Sequence, residues 1–280
     1  MIWRIKTVVI WILTLAAALY LLSLRGRRNH PGLERLRGWS YAHRGLHDEE
    51  KPENSMAAFR AALEHGYGIE FDLHLLKDGN LGVMHDSALL RTTGREGRME
   101  ELTTEDLKNY HLGGTEETIP EFRQVLELFD GQAPLIIELK SADNNYARLT
   151  ETACAMLEGY SGPYCLESFD PRCIRWLRKN RPELIRGQLA ENSMGLKGAY
   201  PWLLRFVTTN HLENFLTLPD FIAYRYADRK TLSNAICRGL WKIQGVSWTI
   251  RTQQEYDTAV REGWLPIFEN FLPETGGKGN

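Results

Sequence analysis

Glu70 and Asp72 sit in the stretch Gly68-Ile69-Glu70-Phe71-Asp72-Leu73-His74-Leu75, where apolar residues alternate with ionisable ones. A period of two is the mark of a strand with two unlike faces, so the two carboxylates point the same way. Held about 7 Å apart along one strand face, they repel each other unless solvent screens them or a cation lies between them. A hard divalent ion, Mg²⁺ or Ca²⁺, suits an all-oxygen site of this kind. The structural alternative is the polar face of an exposed strand.

Two histidines and a lysine stand in comparable places. Tyr41-Ala42-His43-Arg44-Gly45 and Gly82-Val83-Met84-His85-Asp86 both read as short strands that end in a histidine, the position at which barrel enzymes carry catalytic groups. Two imidazoles so placed can divide acid and base work near neutral pH. Farther on, Glu138 and Lys140 share one face of the apolar strand Pro134 to Lys140. They could simply pair with each other. Beside a Glu70 and Asp72 site, they become a third oxygen ligand and a phosphate-binding cation.

His43-Arg44-Gly45, Pro52-Glu53-Asn54-Ser55, Glu70-Phe71-Asp72, Lys77-Asp78-Gly79 and His85-Asp86, in that order and spacing, resemble the glycerophosphodiester phosphodiesterase family. The resemblance continues through Ile137-Glu138-Leu139-Lys140, Ser168-Phe169-Asp170 and Val246-Ser247-Trp248-Thr249, and so covers roughly residues 40 to 270. It implies a metal-dependent phosphoric diester hydrolase that splits glycerophosphodiesters into sn-glycerol 3-phosphate and an alcohol. Glu70, Asp72 and Glu138 would hold one divalent cation, with Glu53 joining directly or through water. Arg44 and Lys140 would neutralise the phosphate, Trp248 would stack on the glycerol or wall off the metal, and His43 and His85 would be acid and base. One departure is visible: the family often closes with Thr-Asp near the last strand, where this chain has Glu269-Asn270. Phospholipase D-like action on lysophospholipids or sphingomyelin is the alternative function, since it uses a similar residue set. A non-catalytic, membrane-tethered binding protein is a third reading, opposed by the presence of every ionisable group the chemistry needs.

The elements that must position these residues follow from periodicity. Strands beginning near residues 40, 68, 134, 163, 184, 221, 245 and 265, with helical patterns between them, make eight βα units, the count of a TIM (β/α)8 barrel with its site at the C-terminal strand ends. Asn54 or Ser55 caps the first helix and Gly66 ends it. Ser87 to Glu117 is polar and weakly periodic, a small insertion after the second strand that would cover the mouth, with Thr103 to Asp106 capping a short helix inside it. Tyr200 to Phe206 is unusually apolar for a barrel loop; packing into the core or against a helix is the expectation, and an exposed patch against a bilayer or acyl chain is the alternative.

Ahead of the barrel, Thr7 to Leu24 is an uncharged run of 18 residues, the lower limit for crossing a bilayer. Basic residues follow it where a signal-peptide cleavage site would need small ones, which favours a retained single-span anchor over cleavage. Residues 1–38 therefore read as anchor and basic linker, and 39–275 as the barrel domain. The linker Asn29 to Gly38 would lie near the membrane, solvated or touching anionic lipid. Arg25, Arg27, Arg28, Arg35 and Arg37 against Arg4 and Lys6 lean towards a cytoplasmic catalytic domain. A net charge of −2 makes no case for nucleic acid as partner, and the sequence specifies no oligomeric state. Cys154, Cys165, Cys173 and Cys237 have neither metal-ligand spacing nor a C-x-x-C pair, so buried free thiols are expected. His47 and His74 lie close to the site, while His30, His65, His111 and His211 are expected at the surface. Residues 276–280 are expected to fray.

Overall fold

The computed structural model describes residues 2–195 and 201–274. Tyr200 and the tail after Glu274 lie outside the described residues. Nine strands form one sheet: β1 (Tyr41–His43), β2 (Gly68–Leu75), β3 (Leu81–Val83), β4 (Leu135–Leu139), β5 (Tyr164–Ser168), β6 (Arg186–Ala190), β7 (Phe221–Arg225), β8 (Gln244–Ile250) and β9 (Trp264–Phe268). All pair in parallel except β3, and β1 bonds to both β9 and β2, which closes β1, β2 and β4 to β9 into a barrel. This is the TIM barrel, with the eight staves where the apolar runs place them. Strands covered on both faces need near-continuous apolar sequence, and β2, β4, β6 and β9 are buried throughout.

β3 changes the picture at His85. It is not a stave but the antiparallel return of a hairpin on β2, with Leu73 opposite Val83 and Leu75 opposite Leu81. His85 therefore reaches the barrel mouth by doubling back from above it, with the Met84 N–H donating to the Asp72 carbonyl. The segment after it is a compact cap with its own core of Leu76, Met84, Leu89, Met99, Leu102 and Leu107. A Thr103/Asp106 capping box starts its short helix. Ser55, rather than Asn54, caps helix Met56–Glu64.

Two apolar layers carry the fold. The outer one lies between strands and helices; Phe122, Val125 and Phe129 of helix Phe122–Phe129 bury into it. The inner one fills the barrel itself with Tyr41, Ile136, Cys165, Phe221, Val246 and Ile267. Leu33 and Leu36 belong to this inner cluster, and the Tyr41 hydroxyl donates to the Leu36 carbonyl. The segment expected to be a solvated or lipid-touching linker is instead a plug for the N-terminal end of the barrel. Arg27 fastens it from the other side, donating to both Asp220 carboxylate oxygens and to the Leu184 carbonyl. An interior lined by apolar side chains at that end must be closed, and leucines do it at the cost of ordering a few residues.

Two further expectations are corrected by burial. His211 is fully buried, its Nε2 2.8 Å from the Asn234 amide oxygen, rather than at the surface. Trp202, Leu203, Leu204 and Phe206 are exposed instead of packed in the core. The four cysteines are free and buried. Ahead of the plug, Trp3–Ser23 is a helix long and apolar enough to cross a membrane, and none of it is buried in the fold.

Candidate active site

The interior rows of the barrel continue upward by the strand period. Two residues beyond Tyr41, Ile136, Cys165, Val246 and Ile267 of the inner cluster come His43, Glu138, Glu167, Trp248 and Glu269. The same alternation that fills the base with apolar side chains thus lines the C-terminal mouth with ionisable ones. On β2 this face carries Glu70 and Asp72, and Asp72 is in register with Glu138 on the neighbouring β4.

Ligand oxygens of Glu70, Asp72 and Glu138 all lie within 4.8 Å of one another, and all three residues are buried. Buried like charges at this separation are unstable without a counter-charge. Burial, with Asp72 and Glu138 adding to it, pushes the Glu70 carboxyl well up. Burial raises Glu138 to about 7, with Asp72 adding to it and Lys140 opposing. Burial opposes ionisation of Asp72 too, but Lys140, His85 and Arg44 outweigh it and hold this carboxyl well below its usual range. Glu70 Oε2 is buried without a hydrogen-bond partner. Three carboxylates around an unsatisfied oxygen form a donor set that fits a hard divalent cation. Among the described residues no other such group of acids, cysteines or histidines occurs.

Cationic groups surround this cluster. Lys140 Nζ lies 3.1 Å from Asp72 Oδ1 and 2.8 Å from Glu138 Oε2. Arg44 lies 3.7 Å from Asp72 through Nε and donates to Glu53 at 3.0 Å. Glu53 stands outside the carboxylate cluster: its two oxygens also accept from Arg91, at 2.6 and 3.1 Å. Backbone geometry favours this turn. Gly45 has φ +82°, and a Cβ there would come within 2.9 Å of Ala58. Arg44 and Asn54 themselves adopt left-handed conformations, φ 56° and 57°, a local cost of the sort that clusters at functional sites.

The histidines flank the acids. His43 Nε2 is 3.8 Å from Glu70 Oε2, while its Nδ1 is 2.5 Å from Glu269 Oε2. His85 Nδ1 is 2.6 Å from Asp86 Oδ1, and Arg91 holds Asp86 in turn. Each imidazole therefore has a carboxylate behind Nδ1, which leaves Nε2 for other work. Burial lowers the pKa of both, His85 to about 4. Trp248 packs edge-on to Phe169 at 5.7 Å at the rim and also touches the inner cluster.

A model of the glycerophosphoryl diester phosphodiesterase family matches residues 43–272. The chain belongs to that family. A glycerophosphodiester phosphodiesterase of Caldanaerobacter subterraneus subsp. tengcongensis is 36% identical over 158 residues, 53% of this chain and 65% of that protein. One from Bacillus altitudinis is 38% identical over 130 residues, 43% of this chain and 52% of that protein. The chain thus spans about half to two thirds of the length of these relatives. The fold matches a phosphodiesterase of Oleispira antarctica in complex with the product sn-glycerol-3-phosphate, at TM-score 0.68 and 21% identity, covering 82% of this chain and 92% of that one. It also matches a putative glycerophosphoryl diester phosphodiesterase of Silicibacter pomeroyi, at TM-score 0.67 and 19% identity, covering 90% and 93%.

Within this family member, several residues at the site escaped sequence reasoning. Asn54 donates to Asp72 Oδ2 at 2.9 Å and so fixes the middle carboxylate. Its signal was position: an asparagine next to Glu53 in a turn, a residue type that tolerates left-handed backbone. Glu167, in register with Glu138 on the neighbouring β5, is buried with Oε2 unpartnered. Asp86 and Arg91 come from the cap. His74 is 2.8 Å from Glu100 and 3.3 Å from the His85 carbonyl, so it supports the turn that delivers His85, and His47 Nε2 is 3.9 Å from Glu269 Oε2. The Glu269 departure from the family ending is the most consequential, because it supplies the carboxylate behind His43.

Proposed function

We propose that this protein hydrolyses glycerophosphodiesters to sn-glycerol 3-phosphate and an alcohol in a reaction that depends on one divalent cation, Mg²⁺ or Ca²⁺. The observation that carries the reading is the convergence of Glu70, Asp72 and Glu138 on one point between His43 and His85. Those three carboxylates would hold the cation, which would supply charge neutralisation at the phosphate. Arg44 and Lys140, already at the rim of the cluster, neutralise the remaining phosphate charge. Glu53, which also holds Arg44 and Arg91, would join the cation directly or through water.

His43 and His85 carry the proton transfers through Nε2, because Nδ1 of each is committed to a carboxylate. One imidazole takes the proton of the attacking oxygen and the other protonates the leaving alcohol. Trp248 and Phe169 form an apolar wall at the rim and set how the glycerol end lies. The cap carrying Arg91 covers the mouth and governs which substrate tail enters.

The test is release of glycerol 3-phosphate from glycerophosphocholine, with lysophosphatidylcholine headgroup release measured beside it. Activity is expected to vanish on chelation and to return with Mg²⁺ or Ca²⁺. His43→Ala and His85→Ala are each expected to lose about 10²- to 10⁴-fold in rate, while the exposed His111→Ala stays near wild type. Near-normal turnover in His85→Ala, or insensitivity to chelator, overturns the reading; turnover confined to the lysolipid transfers it to a phospholipase D-like enzyme.

A further inference from the structure

Helix Trp202–Thr209, in the crossover from β6 to β7, is not used by the active site and does not behave like a barrel helix. Crossover helices turn their apolar face to the strands. Here Trp202, Leu203 and Phe206 are 60%, 63% and 41% exposed. The rings of Trp202 and Phe206 lie 5.9 Å apart, against each other. Isolated exposed apolar residues are ordinary, but adjoining ones mark a contact surface.

The far end of this helix is tied to the apolar N-terminal helix. The Leu212 N–H donates to the Val207 carbonyl at 3.0 Å. Leu212 packs in one cluster with Leu24, Ile222, Cys237, Ile243, Tyr20 and Trp241. Tyr20 lies in the last turn of helix Ile2–Ser23, Leu24 directly follows it, and the Trp241 indole N–H donates to the Leu21 carbonyl at 2.8 Å. Phe215 and Leu240, 54% and 50% exposed, extend the apolar surface around the same junction. Arg28 stacks on Trp241 with its guanidinium 5.3 Å from the ring, placing a cation at its edge.

The junction has no slack. Leu24 is fully buried one residue after the helix ends, and Arg27 is pinned by Asp220. A helix that leaves the fold through such a joint carries a fixed flank of the barrel to wherever the helix is embedded.

We propose that helix Ile2–Ser23 is retained as a membrane span and that the flank beside it, led by Trp202, Leu203 and Phe206, rests on the phospholipid surface. Aromatic and leucine side chains bordered by arginine suit the headgroup boundary. The last residue of the helix, Thr209, accepts from the Ser193 N–H at 3.1 Å and donates to the Glu191 carbonyl at 3.3 Å, and the Glu191 carboxylate holds Arg225 at the mouth end of β7 at 3.2 Å. The docked flank therefore runs from the span to the rim of the active site and sets the mouth beside the lipid headgroups.

The experiment uses the full chain in nanodiscs of phosphatidylcholine and phosphatidylglycerol, some carrying doxyl-labelled acyl chains. Leu203→Cys, Phe206→Cys and, as reference, Glu127→Cys on helix Phe122–Phe129 across the barrel are labelled with bimane; the four native cysteines are buried and stay unlabelled. The expected result is a blue shift and loss of intensity at 203 and 206 and neither at 127. Equal emission at all three sites overturns the proposal, and so does an intact mass lacking the N-terminal helix. Turnover of a soluble diester, read on the same samples, reports folding separately, so an active variant without quenching counts against lipid docking and leaves the catalytic reading in place.

Discussion

Replacing Glu269 with glutamine tests whether His43 is positioned by a carboxylate from the opposite end of the chain. The bond is short, 2.5 Å from His43 Nδ1 to Glu269 Oε2, and both side chains are nearly buried. Although burial opposes it, the hydrogen bonds to His43 and His47 hold the Glu269 carboxyl well below its usual range, so it is ionised. A hydrogen bond to a charged group contributes about 1.5–3 kcal/mol, and each 1.36 kcal/mol is tenfold in rate. Losing the charge while keeping the shape is therefore expected to lower kcat about 10- to 150-fold. KM should change little, because Glu269 lies behind His43 and away from the cation cluster. Glu269→Asp, which keeps the charge on a shorter stem, should recover part of the loss. The assay is steady-state release of glycerol 3-phosphate at saturating cation. Turnover of Glu269→Gln within about twofold of wild type would remove Glu269 from the machinery, and a change confined to KM would reassign it to substrate binding.

Two other outcomes follow from burial. Leu36→Ala is expected to destabilise by about 2–5 kcal/mol, the range for emptying a packed core site; a solvated linker residue would change urea stability by less than about 0.5 kcal/mol. Burial pushes Glu213 up to about 8, and neither carboxylate oxygen has a hydrogen-bond partner. The folded state thus holds a proton that the unfolded chain releases near the ordinary carboxyl value, so stability is fully present at low pH and lost as pH rises through about 8. Glu213→Gln should then be on the order of 4 kcal/mol more stable than wild type at pH 8 and nearly equal to it at pH 4. Buried His211, lowered to about 4 by desolvation, loses stability in the opposite direction as pH falls. It is present in both proteins and cancels from the comparison. Equal urea midpoints for the two proteins at pH 8 would show that Glu213 is solvated in the folded state.

What could be read before folding is what depends on short periods. Eight buried strands announce themselves as apolar runs, and the period of two places Glu70 with Asp72 and Glu138 with Lys140 without any knowledge of their neighbours. Their convergence needed one further fact, that β2 and β4 are adjacent and in register. Counting alternating strands supplied it. His85 reached the same point by a different route from the one its sequence suggested, since a strand ending in histidine looks alike whether it is a stave or a hairpin return. Burial of His211 and exposure of Trp202 escaped for a related reason: hydropathy ranks residue types, whereas the partners of these two are set by how helices after β6 and β7 are laid down.

Glu269 shows where local reading ends. A glutamate after the last strand is unremarkable by itself, and its place in the family pattern marks only a difference. Its meaning comes from closure: β9 pairs with β1, Ala42 opposite Phe268, and this sets residue 269 beside residue 43 across a sequence separation of 226. The chain must be a closed barrel before that carboxylate has an imidazole to orient. The same closure demands a filled base, and Leu33 and Leu36 supply it from a segment whose arginines suggested lipid. Site and plug are two ends of one interior, so a substitution that loosens the plug should weaken the His43–Glu269 bond only by shifting β1 against β9, and a fall in kcat of Leu36→Ala beyond its loss of folded protein would measure that coupling.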